Sequence, residues 1–278
     1  MPSLLLRDRS ISTQLPALIM GIVNCTDDSF YSASRGGTER ALTLIAEGAD
    51  ILDLGAESTR PGASYVSAEE EIRRLVPVIE QIRKQSDIPI SVDTRKKQVM
   101  EATFNAGADI VNDISALEDD PLLADFAAKK QLSVILMHKR GTPNTMQSNT
   151  DYDDVFAEVD AYLRSRALYA ENCGIKAERI IVDPGIGFGK TAEQNQILVA
   201  RCGHLCQKKY AVLMALSRKS MIGDIVHRPI EDRLWGTVAA NLYAVCAGAS
   251  LVRVHDVAAC KDSLLVWNAL QKGGCVTS

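Results

Sequence analysis

The sequence predicts an α/β fold, a (β/α)8 TIM barrel, and three observations point to it. Eight short apolar runs recur along the chain: "LIMGIVN" (18–24), "DILDLGAES" (50–58), "IPISVD" (88–93), "DIVNDIS" (109–115), "SVILMH" (133–138), "RIIVDPG" (179–185), "YAVLMALS" (210–217) and "SLVRVHD" (250–256). Their near-continuous apolar character suits parallel strands buried on both faces, because half-exposed antiparallel strands would alternate. Helical periodicity fills the intervals, and eight strand and helix pairs are what a closed parallel barrel requires. Size agrees, since 278 residues match a fold that fills about 250. Composition nowhere shifts enough to mark a linker. Residues 1–278 therefore read as a single domain, with the barrel proper over 17–275 and a short N-terminal extension before it.

The helices carry their own signals. "VSAEEEIRRLVPVIEQIRK" places Ile72, Leu75, Val76, Ile79 and Ile82 on one stripe and runs from acidic to basic, as the helix dipole prefers. Ser67 and Glu70 form the pattern of a capping box at its start. Pro77 lies inside it, where a missing N–H and a ring clash are expected to kink the helix. "DDPLLADFAAKK" has an Asp cap with Pro121 at the first helical position, and Pro229 is expected to open a longer helix through Leu234, Val238, Leu242 and Val245. A weak repeat supports the alternation: "AEGADILD", "NAGADIVND" and "CAGASLVRVH" each place a glycine C-cap before a strand.

Composition excludes several function classes. Hydrophobic residues at 46% and charged residues at 24% are ordinary globular values, and no apolar stretch reaches the ~18 residues of a membrane span. The N-terminal "MPSLLLRDRS" is too short an apolar region for a secretory signal. Seven cysteines without C-x-x-C spacing suit a reduced, cytoplasmic compartment. "CGHLC" (202–206) offers three close ligands, fewer than the four in paired spacing that a structural zinc site takes. A net charge of −4 and the lack of a basic run with interleaved aromatics argue against a nucleic-acid surface. Neither nucleic acid nor membrane is an expected partner, and an anionic ligand would need local positive charge.

"VDPGIGFGKT" (182–191) resembles a phosphate loop and fails both spacing tests. A P-loop needs glycine where Pro184 stands, and the dinucleotide fingerprint needs glycine where Lys190 stands. Thr191 and Gln194 instead form a capping box, so the stretch reads as strand, acidic residue, tight glycine loop and helix, with Lys190 as a solvated loop charge. The other predicted strands also end in polar residues: Asn24, Glu57 to Arg60, Asp93, Asn112 with Asp113, His138, Ser217, and Arg253 with His255. Taken singly, each is explained by a cap or a loop hydrogen bond. In a parallel barrel, however, all these ends share one face, where active sites are built.

Read together, "MGIVNCTDDSF", "GADILDLGAESTRPGA", "SVDT", "IVNDIS", "LMHKRGTPNTMQ", "IIVDPGIGFGKT", "LSRKSMIG" and "VRVHDV" resemble the dihydropteroate synthases over residues 18–256. That resemblance implies a transferase of folate biosynthesis joining 6-hydroxymethyl-7,8-dihydropterin pyrophosphate to p-aminobenzoate, with release of pyrophosphate and sulfonamides as inhibitors. It implies a pterin pocket of Asp93, Asn112, Met137, Asp183, Phe188, Lys219 and Arg253. Asn24, Arg253 and His255 would hold the pyrophosphate, with Mg2+ bridging from Asn24, while Phe30, Thr59, Arg60, Pro61, Ser217 and Lys219 would enclose p-aminobenzoate. Asp93, Lys219, Arg253 and His255 would be the catalytic groups, and the assembly a homodimer through helices late in the barrel.

The first loop departs from the family pattern, with Asp27, Ser32, Ala33 and Ser34 where a proline, an aspartate and two glycines usually stand, so altered loop ordering is expected. Ala56 and Ala215 replace family glycines and are expected to add methyls beside the cavity. A pterin-dependent methyltransferase barrel would share the Asp, Asn and Asp pocket but has no need of "STRPG", "SRKS" or Arg253 with His255. A barrel that binds pterin without turnover is the other reading, and pyrophosphate release separates the three.

Overall fold

A strand buried on both faces needs hydrogen-bonded neighbours on both edges, and eight such strands meet that demand by closing into a ring. The computed structural model describes residues 2–25, 33–57, 66–141 and 149–273. It opens with an antiparallel hairpin, β1 (Ser3–Leu5) and β2 (Ser10–Ser12). The barrel strands are β3 (Leu18–Asn24), β4 (Ile51–Gly55), β5 (Ile90–Asp93), β6 (Ile110–Asp113), β7 (Ser133–Met137), β8 (Ile180–Asp183), β9 (Ala211–Met214) and β10 (Leu251–Val254). Each pairs in parallel with its sequence neighbour, and β10 pairs with both β9 and β3. All eight lie where the apolar runs predict strands.

The described helices are α1 (Ala33–Glu47), α2 (Ala68–Arg83), α3 (Lys97–Ala106), α4 (Pro121–Lys130), α5 (Val155–Asn172), α6 (Ala192–Arg201), α7 (Ser220–Val226), α8 (Leu234–Cys246) and α9 (Val257–Gly273). The two-residue period of each strand divides the core in two. Outward residues such as Leu52, Leu54, Val92 and Val111 pack with the helices, while Met20, Ile51, Ile110, Ile135, Ile181 and Leu251 fill the barrel interior. The hairpin seals the end where the strands begin: Leu4 and Leu6 join the interior cluster. Ser133 Oγ donates to the Leu5 carbonyl at 2.7 Å, and Arg179 Nη2 to the carbonyls of Leu6 and Arg7 at 3.3 Å each. With that end closed by apolar side chains, polar inward residues are confined to the opposite mouth.

Several local expectations hold in detail. Asp120 caps α4 through the Leu122 N–H, with Pro121 in its first turn. The repeated glycines Gly48, Gly107 and Gly248 all have positive φ, a conformation that costs a side-chain-bearing residue more than glycine.

Other expectations change. Ser67 accepts from the Glu70 N–H at 3.2 Å, but the Glu70 carboxylate does not return to the cap; it accepts from Arg73 Nε at 2.7 Å and Arg74 Nε at 2.6 Å. Two guanidinium groups compete more strongly for a carboxylate than one amide does. α2 continues through Pro77, and its buried stripe is Leu75, Val78, Ile79 and Ile82 with Glu71, so Val78 takes the place predicted for Val76. Pro229 precedes a separate 3-10 turn, Ile230–Asp232, and α8 starts only at Leu234. Ala56 is fully buried in the layer between strands and helices, so its methyl fills the outer core rather than the mouth. Among the described residues no helix is long and apolar enough to cross a membrane.

The hairpin seal predicts that Leu6→Ala, at a position with no exposure, lowers the unfolding free energy by about 2–5 kcal/mol. Urea titration followed by circular dichroism measures it.

Candidate functional site

Above the apolar layer the next inward positions are polar: Asp53 on β4, Asp93 on β5, Asn112 on β6, Asp183 on β8 and Arg253 on β10. Arg253 links three strands. Its Nε donates to Asp53 Oδ2 at 2.6 Å and its Nη2 to Asp93 Oδ2 at 3.2 Å. Asn112, register partner of Asp93, donates from Nδ2 to the same Asp53 oxygen at 3.1 Å. Asp53 escapes sequence reasoning directed at strand ends. The signal for it is a carboxylate in "ILDLG" on the same parity as Ile51, which places it inside the barrel.

Burial pushes the Asp93 carboxyl up to about 7; Arg253 pulls it back, while Asp53, Asp113 and Glu71 push it further up. Asp183 is also raised by burial, against the Gly185 N–H, which donates to its Oδ1 at 2.7 Å, and the positive charges of Lys219, Arg253 and Lys190. Lys219 is pulled down to about 8 by burial, with Asp183 opposing. Its ammonium lies 4.5 Å from the centre of the Phe188 ring.

The position of Lys219 is set by the turn around it. Arg218 has φ 56° and forms a two-point ion pair with Asp256, both contacts 3.0 Å. Arg233 donates to the carbonyls of Arg218 and Lys219 at 3.2 and 3.3 Å. These bonds tie "SRKS" to the end of β10 and to the start of α8.

The glycine loop of "VDPGIGFGKT" turns as expected, with positive φ at Gly185, Gly187 and Gly189. Gly185 has no alternative, because a Cβ there would lie 1.8 Å from the His138 carbonyl oxygen. Thr191 and Gln194 form the complete capping box of α6, at 2.8 and 3.2 Å. Lys190, expected as a solvated charge, is instead 3% exposed. Its Nζ donates to the carbonyls of Gly185 and Phe188 at 3.0 Å each and to His138 Nδ1 at 2.9 Å. The tight loop turns its carbonyls inward, and the ammonium satisfies them. Burial lowers Lys190 to about 7 and His138 to about 3, the latter also because of Lys190. His138 thus supports the loop from behind. Met137, register partner of Asp183, is buried, and Phe188 is half-buried at the loop tip.

Ser217 and His255 form a second polar pair. The Ser217 oxygen accepts from the His255 backbone N–H at 3.1 Å and lies 2.9 Å from His255 Nδ1. Ser217 can then donate its own proton to Nδ1, which leaves the ring proton on Nε2 in the neutral form. Asn24 stands exposed at the end of β3.

The strand-end residues do not all serve the mouth. Asp113 accepts from Ser115 and Leu117 N–H groups at 2.7 and 2.8 Å and holds its own turn. Glu57 pairs with Arg95 at 2.9 Å and Lys96 at 3.2 Å. Phe30, Thr59, Arg60 and Pro61, with Asp27 and Ser32, lie outside the described residues, and of the departures Ala33 and Ser34 only the backbone, in α1, is described.

The pterin binding enzyme family matches residues 20–255. Dihydropteroate synthase of Haemophilus influenzae is 45% identical over 256 residues, covering 90% of this chain and 93% of that protein. The Xanthomonas albilineans dihydropteroate synthase solved with 4-aminobenzoic acid superposes with a TM-score of 0.90 at 44% identity, covering 97% and 98% of the two chains. The same enzyme in complex with 7,8-dihydropteroate gives 0.87 at 41% identity over 98% and 99%. The Yersinia pestis dihydropteroate synthase with a sulfonamide drug gives 0.91 at 34% over 97% and 99%.

Replacing Lys190 by Met strands the carbonyls of Gly185 and Phe188, at roughly 1–3 kcal/mol for each buried acceptor left unpaired. The expected results are a lower unfolding midpoint and faster amide hydrogen exchange over residues 185–189.

Proposed function

The chain belongs to the pterin-binding enzymes as a dihydropteroate synthase, and from that premise we propose the division of labour among its residues. The reaction condenses 6-hydroxymethyl-7,8-dihydropterin pyrophosphate with p-aminobenzoate to 7,8-dihydropteroate and releases pyrophosphate. The observation supporting the assignment of roles is the convergence of two carboxylates, one buried and one half-buried, an amide and a guanidinium from β8, β5, β6 and β10 on one polar layer.

A pterin edge presents an amino group beside a ring N–H. Asp183 accepts from both, Asn112 completes that edge, and Lys219 donates to the pterin oxygen and adjoining ring nitrogen. Asp93 faces the other side of the ring system. Met137 and Phe188 give apolar contact, and the planar guanidinium of Arg253 stacks on the pterin face.

The carbon–oxygen bond to the pyrophosphate breaks with its electron pair on the leaving group, and the exocyclic carbon gains positive character that the Asp93 carboxylate helps to offset. Arg253 and His255 Nε2–H hold the leaving pyrophosphate. The neutral aniline nitrogen then forms the new bond and sheds a proton, so its placement by Ser217, Lys219 and the segments bearing Phe30, Thr59, Arg60 and Pro61 matters more than a strong base.

Asn24 fits a role with Mg2+. Its amide oxygen is a hard, neutral donor at the open mouth, and Mg2+ is commonly held by one or two protein oxygens together with substrate phosphates and water. Among the described residues no group of three His, Cys, Asp or Glu side chains forms a cage of its own. Mg2+ held there by Asn24 would supply positive charge to neutralise the pyrophosphate.

An apolar groove between α8 and α9, about 460 Å³ and lined by Trp235, Leu242, Val266 and Leu270 among others, supports a homodimer through this face. Trp235 is 76% and Leu270 70% exposed, more apolar surface than a monomer keeps without a use for it. The six described cysteines are free thiols, which supports a reducing cytoplasmic setting, and sulfonamides are expected to compete with p-aminobenzoate.

Incubated with the pterin pyrophosphate, p-aminobenzoate and Mg2+, the protein is expected to release pyrophosphate; intact pterin binding without release would overturn the catalytic assignment. Asp183→Ala is expected to weaken pterin binding roughly a thousandfold in a calorimetric titration. Because Lys219 loses its charge near pH 8, kcat/KM should fall as pH rises through that value, and Lys219→Arg, which stays charged, should flatten that limb. Leu270→Asp is expected to yield monomers in analytical ultracentrifugation.

A further inference from the structure

Asp53 points into the barrel, and the proposed roles leave it without a task. It has no exposure, and its Oδ1 is buried without a hydrogen-bond partner. Its register partner on β5, Ser91, likewise has a buried hydroxyl without one. The register partner of Asp53 on β3, Ile22, and the inward residue before Asp53 on its own strand, Ile51, are both buried and apolar. A buried carboxylate with one oxygen unsatisfied is costly, and an apolar residue of similar volume would commonly serve stability as well or better. The residue therefore needs an explanation beyond packing.

Its other oxygen supplies one. Oδ2 accepts at once from Arg253 Nε at 2.6 Å and Asn112 Nδ2 at 3.1 Å. An ionised carboxylate can only accept, so it fixes which end of the Asn112 amide points down and leaves Oδ1 as the acceptor that Asn112 can offer to a ligand. It also engages the Nε edge of the guanidinium. Without it, the charge of Arg253 would turn wholly to Asp93, with which it already pairs at 3.2 Å.

We propose that Asp53 is a positioning residue of the pterin pocket, holding the Arg253 guanidinium and the Asn112 amide from below in the orientations that receive the ring. This rests on the assignment of Asp93, Asn112, Asp183 and Arg253 to the pterin. Asp53 touches no substrate; it sets the plane of one contacting group and the polarity of another.

The probe is 6-hydroxymethyl-7,8-dihydropterin, which lacks the pyrophosphate and so reports on the ring end alone. Asp53→Asn keeps the volume and removes the charge, and it is expected to weaken binding and kcat/KM by up to about a hundredfold, the scale of a misplaced contact. In an Arg253→Lys background the same change should cost less than about threefold, because residues acting through one another are not additive.

The pH dependence separates positioning from stability. Asp93 is faced by Arg253 from β10, Asp53 from β4, Asp113 from β6, Glu71 from α2, and Lys219. Removing the Asp53 charge and releasing Arg253 both favour ionised Asp93, so the acidic limb of pterin binding should move to lower pH in Asp53→Asn. Additive losses with an unmoved limb would overturn the proposal. If Asp183→Ala still binds the pterin, the pocket assignment itself fails; if it does not bind while Asp53→Asn binds as wild type, only the positioning role fails. Should Asp53→Asn not fold, a structure of the wild-type protein with the pterin decides: the Arg253 Nε contact to Asp53 must persist, and a guanidinium swung away from Asp53 would refute the role.

Discussion

A guanidinium can leave water only where acceptors replace it along its fork, and a barrel interior filled by Leu, Ile and Met offers none of its own. Arg253 is tolerated there because carboxylates reach it from two other strands. Asp93, and Asp183 on β8, in turn need positive charge nearby, since burial drives both toward their neutral forms. The polar layer is thus a set of mutual obligations in which the cation could not be kept without the anions, nor the anions kept charged without the cation. Lys219 and Lys190 extend that balance to the loops on either side. A site of this kind suits a substrate that carries donors on one edge and anionic charge at the other end.

Much of this was legible in the sequence, for a physical reason. Strands buried on both faces leave uninterrupted apolar runs, so all eight could be placed, and caps such as Thr191 with Gln194 are local patterns whose partners lie three residues apart. Asp93, Asn112, Asp183 and Arg253 stood out because each closes an apolar run. What the sequence concealed are relations between distant segments. Lys190 follows three glycines and looks exposed, but its partners include His138, more than fifty residues earlier in the chain. Asp53 lies between two leucines and is joined to Arg253 only through barrel closure. Glu70 had the right spacing for a reciprocal cap and was claimed by two arginines that helix periodicity brings near it. Ala56 stands next to a strand end, and only the parity of β4 decides that its methyl belongs to the outer core.

The two loops that present the pocket are held in different ways. The glycine loop is held from inside by a single ammonium that gathers its carbonyls. The "SRKS" turn is held from outside, by Arg218 on Asp256 and Arg233 on two carbonyls. Phe188 and Lys219, one from each loop, meet at 4.5 Å, so two independent anchorings determine one contact. Displacing either anchor would shift the apolar and the cationic wall of the pocket relative to each other.

The hairpin at the closed end bears on how the chain assembles. Residues 3–12 precede every strand they seal, yet their partners are Ser133 and Arg179, more than a hundred residues further along. Until β7 and β8 have formed, Leu4 and Leu6 have no interior to enter, and they remain apolar surface on an unfinished ring. Contacts of such long sequence separation are late and slow to form. A segment that precedes the whole barrel in the chain therefore docks among the last, and until it does, its leucines leave the unfinished ring open to pairing with another copy.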